Sequence, residues 1–373
     1  MSYKSSVKSS LIVGGLIAAL FIFGIPTVYA QHGHEEQTET YPHEADVDKA
    51  EFQAGEMIIE HITDAYEWHI ITIGHTHISV PLPVILYDEG QWFVFMSTKL
   101  HHGHEAYEGY FVSHDDFNAG KIVKLDADGH EVRPTLDISF TKNVLAIFFS
   151  LALMIFIFIS VAKSYKKRKG HAPKGLQSFL EPIILFIRDD IAKASIGEKK
   201  YEKYMPFLLT VFFFILINNI LGLIPLFPGG ANVTGNIGVT GVLAAFTFII
   251  TSFSGNKAYW THIVNMPGVP WWLKIPVPLM PIVELMGLFT KPFVLMVRLF
   301  ANITAGHIIV LGFISLIFIF GEMSTGLGYG VSIVSVGFTI FMNFLELLVA
   351  FIQAYVFTLL SALYFGMATE EHH

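Results

Sequence analysis

A single permanent positive charge, Arg298, lies within the apolar stretch Phe293-Val-Leu-Met-Val-Arg-Leu-Phe-Ala-Asn-Ile-Thr-Ala-Gly-His307. A guanidinium attracts carboxylates and repels cations, but it does not release its proton in a protein. Such a charge at the centre of a membrane helix costs about 3 kcal/mol, so it normally faces a bundle interior, a wet cavity or a partner. The alternative is that Arg298 extends to a lipid headgroup, although about 20 mostly apolar residues flank it on each side.

Proton exchange is the chemistry that His307 and Glu346 can perform, since imidazole and carboxylate both titrate within reach of neutral pH. If the last two apolar segments are antiparallel helices with Arg298 level with Gln353, then His307 and Glu346 also come to matching depths. This second layer lies about 13 Å from the first, because nine residues separate the layers at 1.5 Å each. The sequence therefore predicts one layer with a fixed charge and another that exchanges protons.

Other polar residues within the apolar segments are candidates for lining a hydrophilic path: Asn302, Asn343, Asn232, Asn218, Asn219 and Glu284. We interpret Asn218 and Asn219 either as interhelical hydrogen-bond residues or as a contact with an inner channel. Glu284 and Lys291 are seven residues apart on roughly the Arg298 face. They either line an inner path or pair with each other.

The elements that position these residues must be membrane helices, because 53% of the 373 residues are hydrophobic and only 14% are charged. The chain has no Cys, which excludes disulfides and thiolate chemistry. We predict an all-α polytopic fold with five membrane-crossing helices, at about 144–162, 206–226, 239–253, 281–320 and 331–367. The last two would be about 60 and 55 Å long in a layer about 30 Å thick, so we expect both to be strongly tilted.

The orientation follows from the stretch 163–203, which carries 11 Lys or Arg residues. Basic connections of this length stay in the cytoplasm, so the first span runs inward and the C-terminus is cytoplasmic. The membrane domain is predicted to comprise residues 137–373.

Two regions precede the membrane domain. Residues 1–30 have the pattern of a signal peptide, with cleavage expected after Ala30; the alternative is an uncleaved anchor helix. Residues 31–136 are predicted to form a small extracytoplasmic domain, because residues 31–133 hold 20 acidic and only 5 basic residues. Period-two alternation after His69 and after Trp92 indicates that this domain is β-rich, and Asp88-Glu-Gly90 is a turn signal.

Clustered histidines in this N-terminal domain are candidate zinc or copper ligands: His75, His77, His101, His102 and His104. Because no HExxH motif is present, a solvated or proton-buffering surface is the interpretation that we prefer. We predict no cofactor and no resident metal.

At its C-terminal half the sequence resembles the a subunit of rotary ATP synthases. The stretch from Lys291 to His307 is similar to that family's essential-arginine motif, and Glu346 to Gln353 with the tail Leu363-Tyr-Phe-Gly-Met-Ala-Thr369 is similar to its final helix. Asn218-Asn-Ile-Leu-Gly-Leu-Ile-Pro225 and Asn232-Val-Thr also fit. The resemblance covers residues 140 to 371. The acidic N-terminal domain lies outside it.

The resemblance implies a proton-translocating stator subunit in the bacterial inner membrane. Arg298 would face a rotating c-ring of carboxylate-bearing subunits and separate two half-channels, with a peripheral-stalk b subunit and the catalytic head as further partners. The family often has a carboxylate at the position of His307 and a His at that of Glu346, so the two residue types are exchanged here. Since the sequence has no P-loop, nucleotide chemistry is expected on other subunits. Nothing in the sequence points to nucleic acid.

Two other classes of function remain open from the sequence. A self-contained ion channel or secondary transporter would also place charges in the membrane, but it usually shows related halves, and we find no internal repeat. An intramembrane hydrolase could use a His and a Glu, but no paired nucleophile or second metal ligand has a useful spacing.

Overall fold

The computed structural model describes residues 52–370, except for residues 74–75, 104, 114, 116, 169, 226–227 and 265–278. The predicted signal peptide and the acidic segment that follows it thus lie outside the described residues. The described part consists of a small β-rich region followed by a mostly helical region.

The helices in chain order are α1 Ala54–Ile62, α2 Lys142–Lys167, α3 Leu176–Phe186, α4 Tyr201–Leu223, α5 Ile237–Ser254, α6 Lys257–Val264, α7 Leu279–Met323 and α8 Thr325–Thr369. After α3 the chain continues as a π-helical segment, Ile187–Lys193, and a last helical turn, Ala194–Ile196.

Eight strands make up the β-rich region: β1 Glu67–Ile73, β2 Thr76–Pro81, β3 Pro83–Asp88, β4 Gln91–Met96, β5 Tyr110–Val112, β6 Ile122–Leu125, β7 Glu131–Val132 and β8 Leu136–Asp137. They pair antiparallel in three small sheets, with the orders β1-β2, β4-β3-β8 and β5-β6-β7. This confirms that the N-terminal region is rich in β-structure.

The predicted turn between β3 and β4 forms as the sequence indicated. Glu89 and Gly90 have φ angles of 48° and 82°, the left-handed pair that a two-residue hairpin needs. Alternate residues of β3 point inward, and Val84 and Leu86 have no exposed surface. The hairpin thus supplies one wall of a compact apolar core.

A buried carboxylate, Asp88, ties the sheets together. Lys124 lies 2.5 Å from its carboxylate, Tyr110 donates to it at 2.9 Å, and the Thr135 hydroxyl donates to it at 2.9 Å. Burial alone would raise the pKa of Asp88, but the hydrogen bonds from Lys124, Tyr110 and Thr135 outweigh it and hold the pKa well below its ordinary value of 3.8. Burial and Asp88 raise the pKa of Tyr110 to about 12.

Acid is therefore expected to loosen the β-rich region. A lowered folded-state pKa means that the stabilisation is present above pH 3.8 and is lost as the pH falls below it. The protection factors of the β3 and β6 amides, which correct hydrogen exchange for its intrinsic pH dependence, should fall more steeply between pH 6 and pH 3 in the detergent-solubilised wild type than in Asp88→Asn. Equal pH dependence in the two proteins would contradict this prediction.

Five helices within the described residues, α2, α4, α5, α7 and α8, are long and apolar enough to cross a membrane. The prediction of five membrane-crossing helices is thereby confirmed by length and composition. The stretch 163–203 is more structured than the sequence suggested, because α3 and the π-helical segment lie within it. Ile187 and Ile191 of that segment are buried against the membrane helices.

The last two helices, α7 and α8, have 45 residues each and form a hairpin around Ser324. We call the end at Ser324 the turn end and the end that holds Leu279 and Thr369 the tail end. Helix α7 continues through Pro292 without interruption. Three helix ends lie toward the turn end: the start of α2, the end of α4 and the start of α5. At the tail end, Lys200 donates to the Thr369 carbonyl and Asn256 donates to the Glu370 carbonyl.

The close approach of α8 to the segment after α3 requires a glycine at position 366. A Cβ there would clash with the backbone carbonyl oxygen of Ser195, which cannot move aside as a side-chain tip can. Gly366→Ala is expected to lower stability by about 2 kcal/mol through overpacking. Gly287→Ala is the matched control, because no atom lies within 4 Å of its Cβ and Ala favours a helix interior. Thermal unfolding in detergent measures both, and equal melting temperatures would contradict the prediction.

Candidate functional site

The α7–α8 hairpin has the register that the polar residues predicted. A Cβ at Gly306 would clash with Oε1 of Glu346, so the Glu346 side chain lies against the backbone next to His307. Further toward the turn end, Phe313 and Phe338 stack with their ring centroids 4.9 Å apart. The structure thus places Glu346 beside residues 306–307, at one depth in the hairpin.

A turn-end polar cluster surrounds His307 and Glu346. Glu346 is 8% exposed. Nε2 of His307 lies 3.7 Å from the Cβ position of Gly222 on α4, so the imidazole faces that helix. The loop after α4 also contributes, since the Thr304 hydroxyl donates to the Gly235 carbonyl at 3.5 Å. Helices α4, α7 and α8 therefore enclose the His307–Glu346 pair.

The two asparagines at the end of α4 belong to this same cluster. Asn219 donates to the Ala350 carbonyl of α8 at 3.3 Å and accepts a 2.5 Å hydrogen bond from the Thr234 hydroxyl. Asn218 donates to the Phe214 carbonyl of its own helix at 2.8 Å. Interhelical bonding is thus confirmed for Asn219. Asn219 thus meets α8 about one turn from Glu346, so these adjacent asparagines lie near that carboxylate rather than at the tail end.

Several buried polar atoms of this cluster have no hydrogen-bond partner within the described part of the chain: Oδ1 of Asn218, Oε1 of Glu346, and both Oδ1 and Nδ2 of Asn232. Native proteins rarely leave such atoms without a donor or acceptor, and water commonly serves them. The Asn232 side chain packs directly over Gly235. The cluster is consequently a polar site that suits ordered water and proton exchange.

At the tail end, a cavity of about 300 Å³ opens between α6, α7 and α8. Its polar lining residues are Tyr259, His262, Glu284, Lys291 and Glu370. Of these, Glu284 and Lys291 were predicted from the sequence. Tyr259, His262 and Glu370 were not, because no periodic or charge signal distinguishes them from ordinary surface residues.

A narrower space continues from this cavity into the bundle. Thr247, Thr251, Lys291 and Tyr364 contribute to its lining, and it holds about 10 Å³, close to the room that one water molecule needs. The Lys291 ammonium lies 5.7 Å from the centre of the Tyr364 ring. Polar groups therefore follow one another from the tail end as far as Lys291 and Tyr364, about two turns of α7 short of Arg298.

Arg298 lies between the two polar regions, on an exposed face of the hairpin. Small side chains at three, four and seven residues further, Ala301, Asn302 and Ala305, share this exposed face. Gln353 differs, since it is 7% exposed and directed into the bundle. Asn343 is exposed on α8 and lies outside the buried turn-end cluster.

The predicted histidine metal site falls largely outside what the structure describes. His75 and His104 are not among the described residues, and the side chains of His77, His101 and His102 are likewise not described. Among the side chains that are described, no group of three or more His, Asp or Glu residues is arranged to hold a metal ion.

The fold and the site together define a class: a polytopic membrane protein whose long helical hairpin presents an arginine between two separate polar regions. The family model of the ATP synthase A chain matches residues 144–366. The chain belongs to this family, and it is thus a membrane subunit of the ATP synthase complex rather than an enzyme alone.

Curated relatives support the same assignment. ATP synthase subunit a of Chloroherpeton thalassium is 43% identical over 283 residues, which cover 74% of this chain and 78% of the relative. ATP synthase subunit a 2 of Chlorobaculum tepidum is 48% identical over 272 residues, 71% of this chain and 72% of the relative. ATP synthase subunit a of an Anaeromyxobacter species is 36% identical, with 69% of this chain and 63% of the relative covered.

The N-terminal region matches a different model. Residues 57–144 correspond to a domain of unknown function (DUF8433). This match includes most of α1, all eight strands and the first residues of α2. The chain is consequently a bacterial-type multi-pass membrane subunit joined to an N-terminal domain of a separately recognised family.

Proposed function

We propose that the chain is the proton-translocating stator subunit of the ATP synthase, and that Arg298 separates two half-channels. The observation that carries the proposal is the placement of two distinct polar regions, one toward each end of the hairpin, with an exposed Arg298 between them. The turn-end cluster is the outer half-channel, and the tail-end cavity is the inner one. This assignment follows the basic stretch 163–203, which orients the tail end toward the cytoplasm.

The outer half-channel delivers protons through the His307–Glu346 pair. An imidazole and a carboxylate at one depth can relay a proton between water and a second carboxylate. The partnerless polar atoms of Asn218 and Asn232 lie in the same half and favour ordered water beside the pair. The relatives' family often has these two residue types in the opposite order, and their mutual exchange here is consistent with direct contact.

The inner half-channel is the tail-end cavity with its narrow extension past Lys291 and Tyr364. Glu284 lines the wider part, and its carboxylate favours cations there. The extension ends at Lys291, Pro292 and Tyr364, about 9 Å along α7 from Arg298, whose fixed positive charge opposes a proton that would cross directly. Net flux then requires a carrier that passes Arg298.

The proposed carrier is a ring of c subunits, each with one carboxylate, that rotates against the exposed face of the hairpin. Arg298 favours the ionised form of the approaching carboxylate, so the proton leaves to one half-channel. After the carboxylate has passed the guanidinium, the other half-channel reprotonates it and the site can enter the lipid. Rotation is thereby coupled to proton flow, and the catalytic head makes ATP.

The exposed surface of the hairpin supports this partner. Both α7 and α8 present large apolar side chains outward, including Phe293, Phe344 and Phe351. Beside Arg298 the surface is instead formed by small side chains, among them Ala301 and Ala305, which permit close approach of another helix.

A b subunit of the peripheral stalk would hold the chain against the rotor. The remaining parts of the proposal are strong tilt of the hairpin, cleavage after Ala30, and an extracytoplasmic domain at 31–136.

Disulfide crosslinking tests contact with the ring. The chain has no Cys, so Ala305→Cys introduces a single thiol on the Arg298 face. Combined with one Cys placed near the ring carboxylate, it should form a disulfide on oxidation and stop ATP-driven proton pumping until a reductant is added. Phe156→Cys is the control, because it is 69% exposed on α2 but away from the hairpin. Crosslinking at position 156 and not at position 305 would contradict the proposal.

A further inference from the structure

The N-terminal region is attached along the turn-end part of α7. The rings of Phe52 and Phe318 lie 5.0 Å apart, and the backbone N–H of Phe52 donates to Oε1 of Glu322 at 2.9 Å. From there α1 packs against α7. Because α1 begins near Phe318, its last turn, which includes His61, lies further down the hairpin.

The end of α1 is joined to the start of the first membrane helix by a set of polar contacts. Asp64 accepts hydrogen bonds from the Thr141 hydroxyl at 2.7 Å and from the Asn143 backbone N–H at 3.0 Å. The Lys142 backbone N–H donates to the Ala65 carbonyl at 2.8 Å, and the Lys142 ammonium donates to the His61 carbonyl at 3.3 Å. We call these residues, 61–65 and 141–143, the junction.

The junction is held in place from the other side as well. Trp68, the second residue of β1, is 3% exposed and belongs to the same apolar core as the membrane helices. Lys142 is 8% exposed and Asn143 is 3% exposed, so polar groups are enclosed here rather than displayed on the surface. Trp68 thus anchors the start of β1 on the membrane helices, while the sheets keep a separate apolar core.

The junction lies beside the proton-exchanging pair. Helix α1 spans about 13 Å and packs along α7 from Phe318, and His307 is about 16 Å from Phe318 along α7, so the last turn of α1, with His61, lies near the level of His307. In addition, Oδ1 of the buried Asn143 has no hydrogen-bond partner within the described part of the chain. A buried amide oxygen of this kind favours a bound water, as the partnerless atoms of the turn-end cluster do.

We propose that the junction is the mouth of the outer half-channel, so that water and protons reach His307 past His61, Asp64 and Lys142. The inference rests on the proposed function and deepens it, since it assigns a role to the N-terminal domain. The chemistry is suitable because an imidazole, a carboxylate and an ammonium at one place keep a narrow passage hydrated. An apolar junction would instead exclude water and close the route.

Thiol modification of the assembled ATP synthase tests the proposal. The variant His61→Cys carries a single thiol in this chain, and Ile59→Cys is a matched control at a 59% exposed position two residues earlier on α1. The purified complex is treated in detergent with the cationic reagent 2-(trimethylammonium)ethyl methanethiosulfonate, and labelling is measured by mass spectrometry. After reconstitution in liposomes, proton-driven ATP synthesis is compared with that of the same variant unlabelled, so a change in basal rate cancels.

Label at position 61 is expected to lower the synthesis rate by about tenfold, the factor that about 1.4 kcal/mol of added barrier produces. Label at position 59 should leave the rate unchanged. Unchanged synthesis with the thiol of His61→Cys fully labelled, or failure of the reagent to reach that thiol, would overturn the proposal.

The variant Lys142→Met provides an independent test, because it lacks the ammonium charge. A several-fold slower synthesis in that variant supports the proposal, and an unaltered rate argues against the proposal.

Failure of this inference is distinguishable from failure of the proposed function. If the fully labelled His61→Cys variant is active while Arg298→Ala is inactive, then the mouth lies elsewhere and the half-channel assignment stands. If Arg298→Ala retains normal synthesis, the proposed function itself fails.

Discussion

Replacing Arg298 by Ala is expected to abolish proton-driven ATP synthesis, with catalytic hydrolysis by the detached head left intact. The Arg298 guanidinium cannot release its positive charge. Among the residues that the structure describes at this level of the proposed path, it is the group with that property. Its attraction for a ring carboxylate at 4 Å is worth about 4 kcal/mol at an effective dielectric near 20. Its loss therefore shifts the ionisation equilibrium of the carboxylate by about a thousandfold.

Inverted membrane vesicles provide the measurement for this variant. Synthesis driven by an imposed proton gradient should fall to background, and passive proton leak should rise because the barrier between the half-channels is gone. Arg188→Ala is a suitable control, since Arg188 is also an exposed arginine but pairs with Asp189 in the segment after α3. Exposed pairs of this kind contribute little. Normal coupling in Arg298→Ala would remove the barrier from the mechanism.

Replacing either His307 or Glu346 by Ala should slow proton-driven synthesis by about a hundredfold, a typical contribution of a positioned proton donor or acceptor. The exchange of both, His307→Glu with Glu346→His, should retain more activity than either single change. The reason is geometric: the two side chains share one depth, so the exchange keeps an acid beside an imidazole. Synthesis rates of the three variants, normalised to the amount of assembled complex, provide the comparison.

Two glycines of α7 separate a positional effect from a chemical one. A Cβ at Gly306 would meet the Glu346 carboxylate, so Gly306→Ala should displace it and lower synthesis although both titrating groups remain. Gly312→Ala is the matched control in the same helix, because nothing lies within 4 Å of its Cβ.

The exchange experiment has its own contradicting outcome. If His307→Ala, Glu346→Ala and the exchanged double variant all lose the same activity, direct contact between His307 and Glu346 is ruled against.

Much of the membrane domain was predictable from the sequence. The five apolar segments are long enough to be detected individually, and a helix in lipid must satisfy its own backbone hydrogen bonds, so a segment's length and polarity almost determine its structure. The hairpin register followed from the pairs Arg298–Gln353 and His307–Glu346, since charged and amide side chains within apolar helices are few and costly to leave alone. The β3–β4 hairpin was visible in the turn signal Asp88-Glu-Gly90.

Other features needed the tertiary structure, because they depend on contacts between distant parts of the chain. Helix α6 is short and mixed in polarity, and its role in lining the tail-end cavity arises only when α7 and α8 pack beside it. The apolar residues of α3 were obscured by the basic residues around them. Asn219 meets Ala350 across 131 positions, so its neighbours could not be read from spacing.

The sequence by itself determined the class of protein, the number of spanning segments and the arginine at their centre, since these depend on local composition and on the cost of charge in lipid. Only the tertiary structure decided where the N-terminal domain meets the membrane helices. No sequence pattern identifies the partners of Asp64, Lys142 and Trp68. A hydrogen bond or an apolar contact depends on the shape and position of the neighbouring group, which only the folded chain determines.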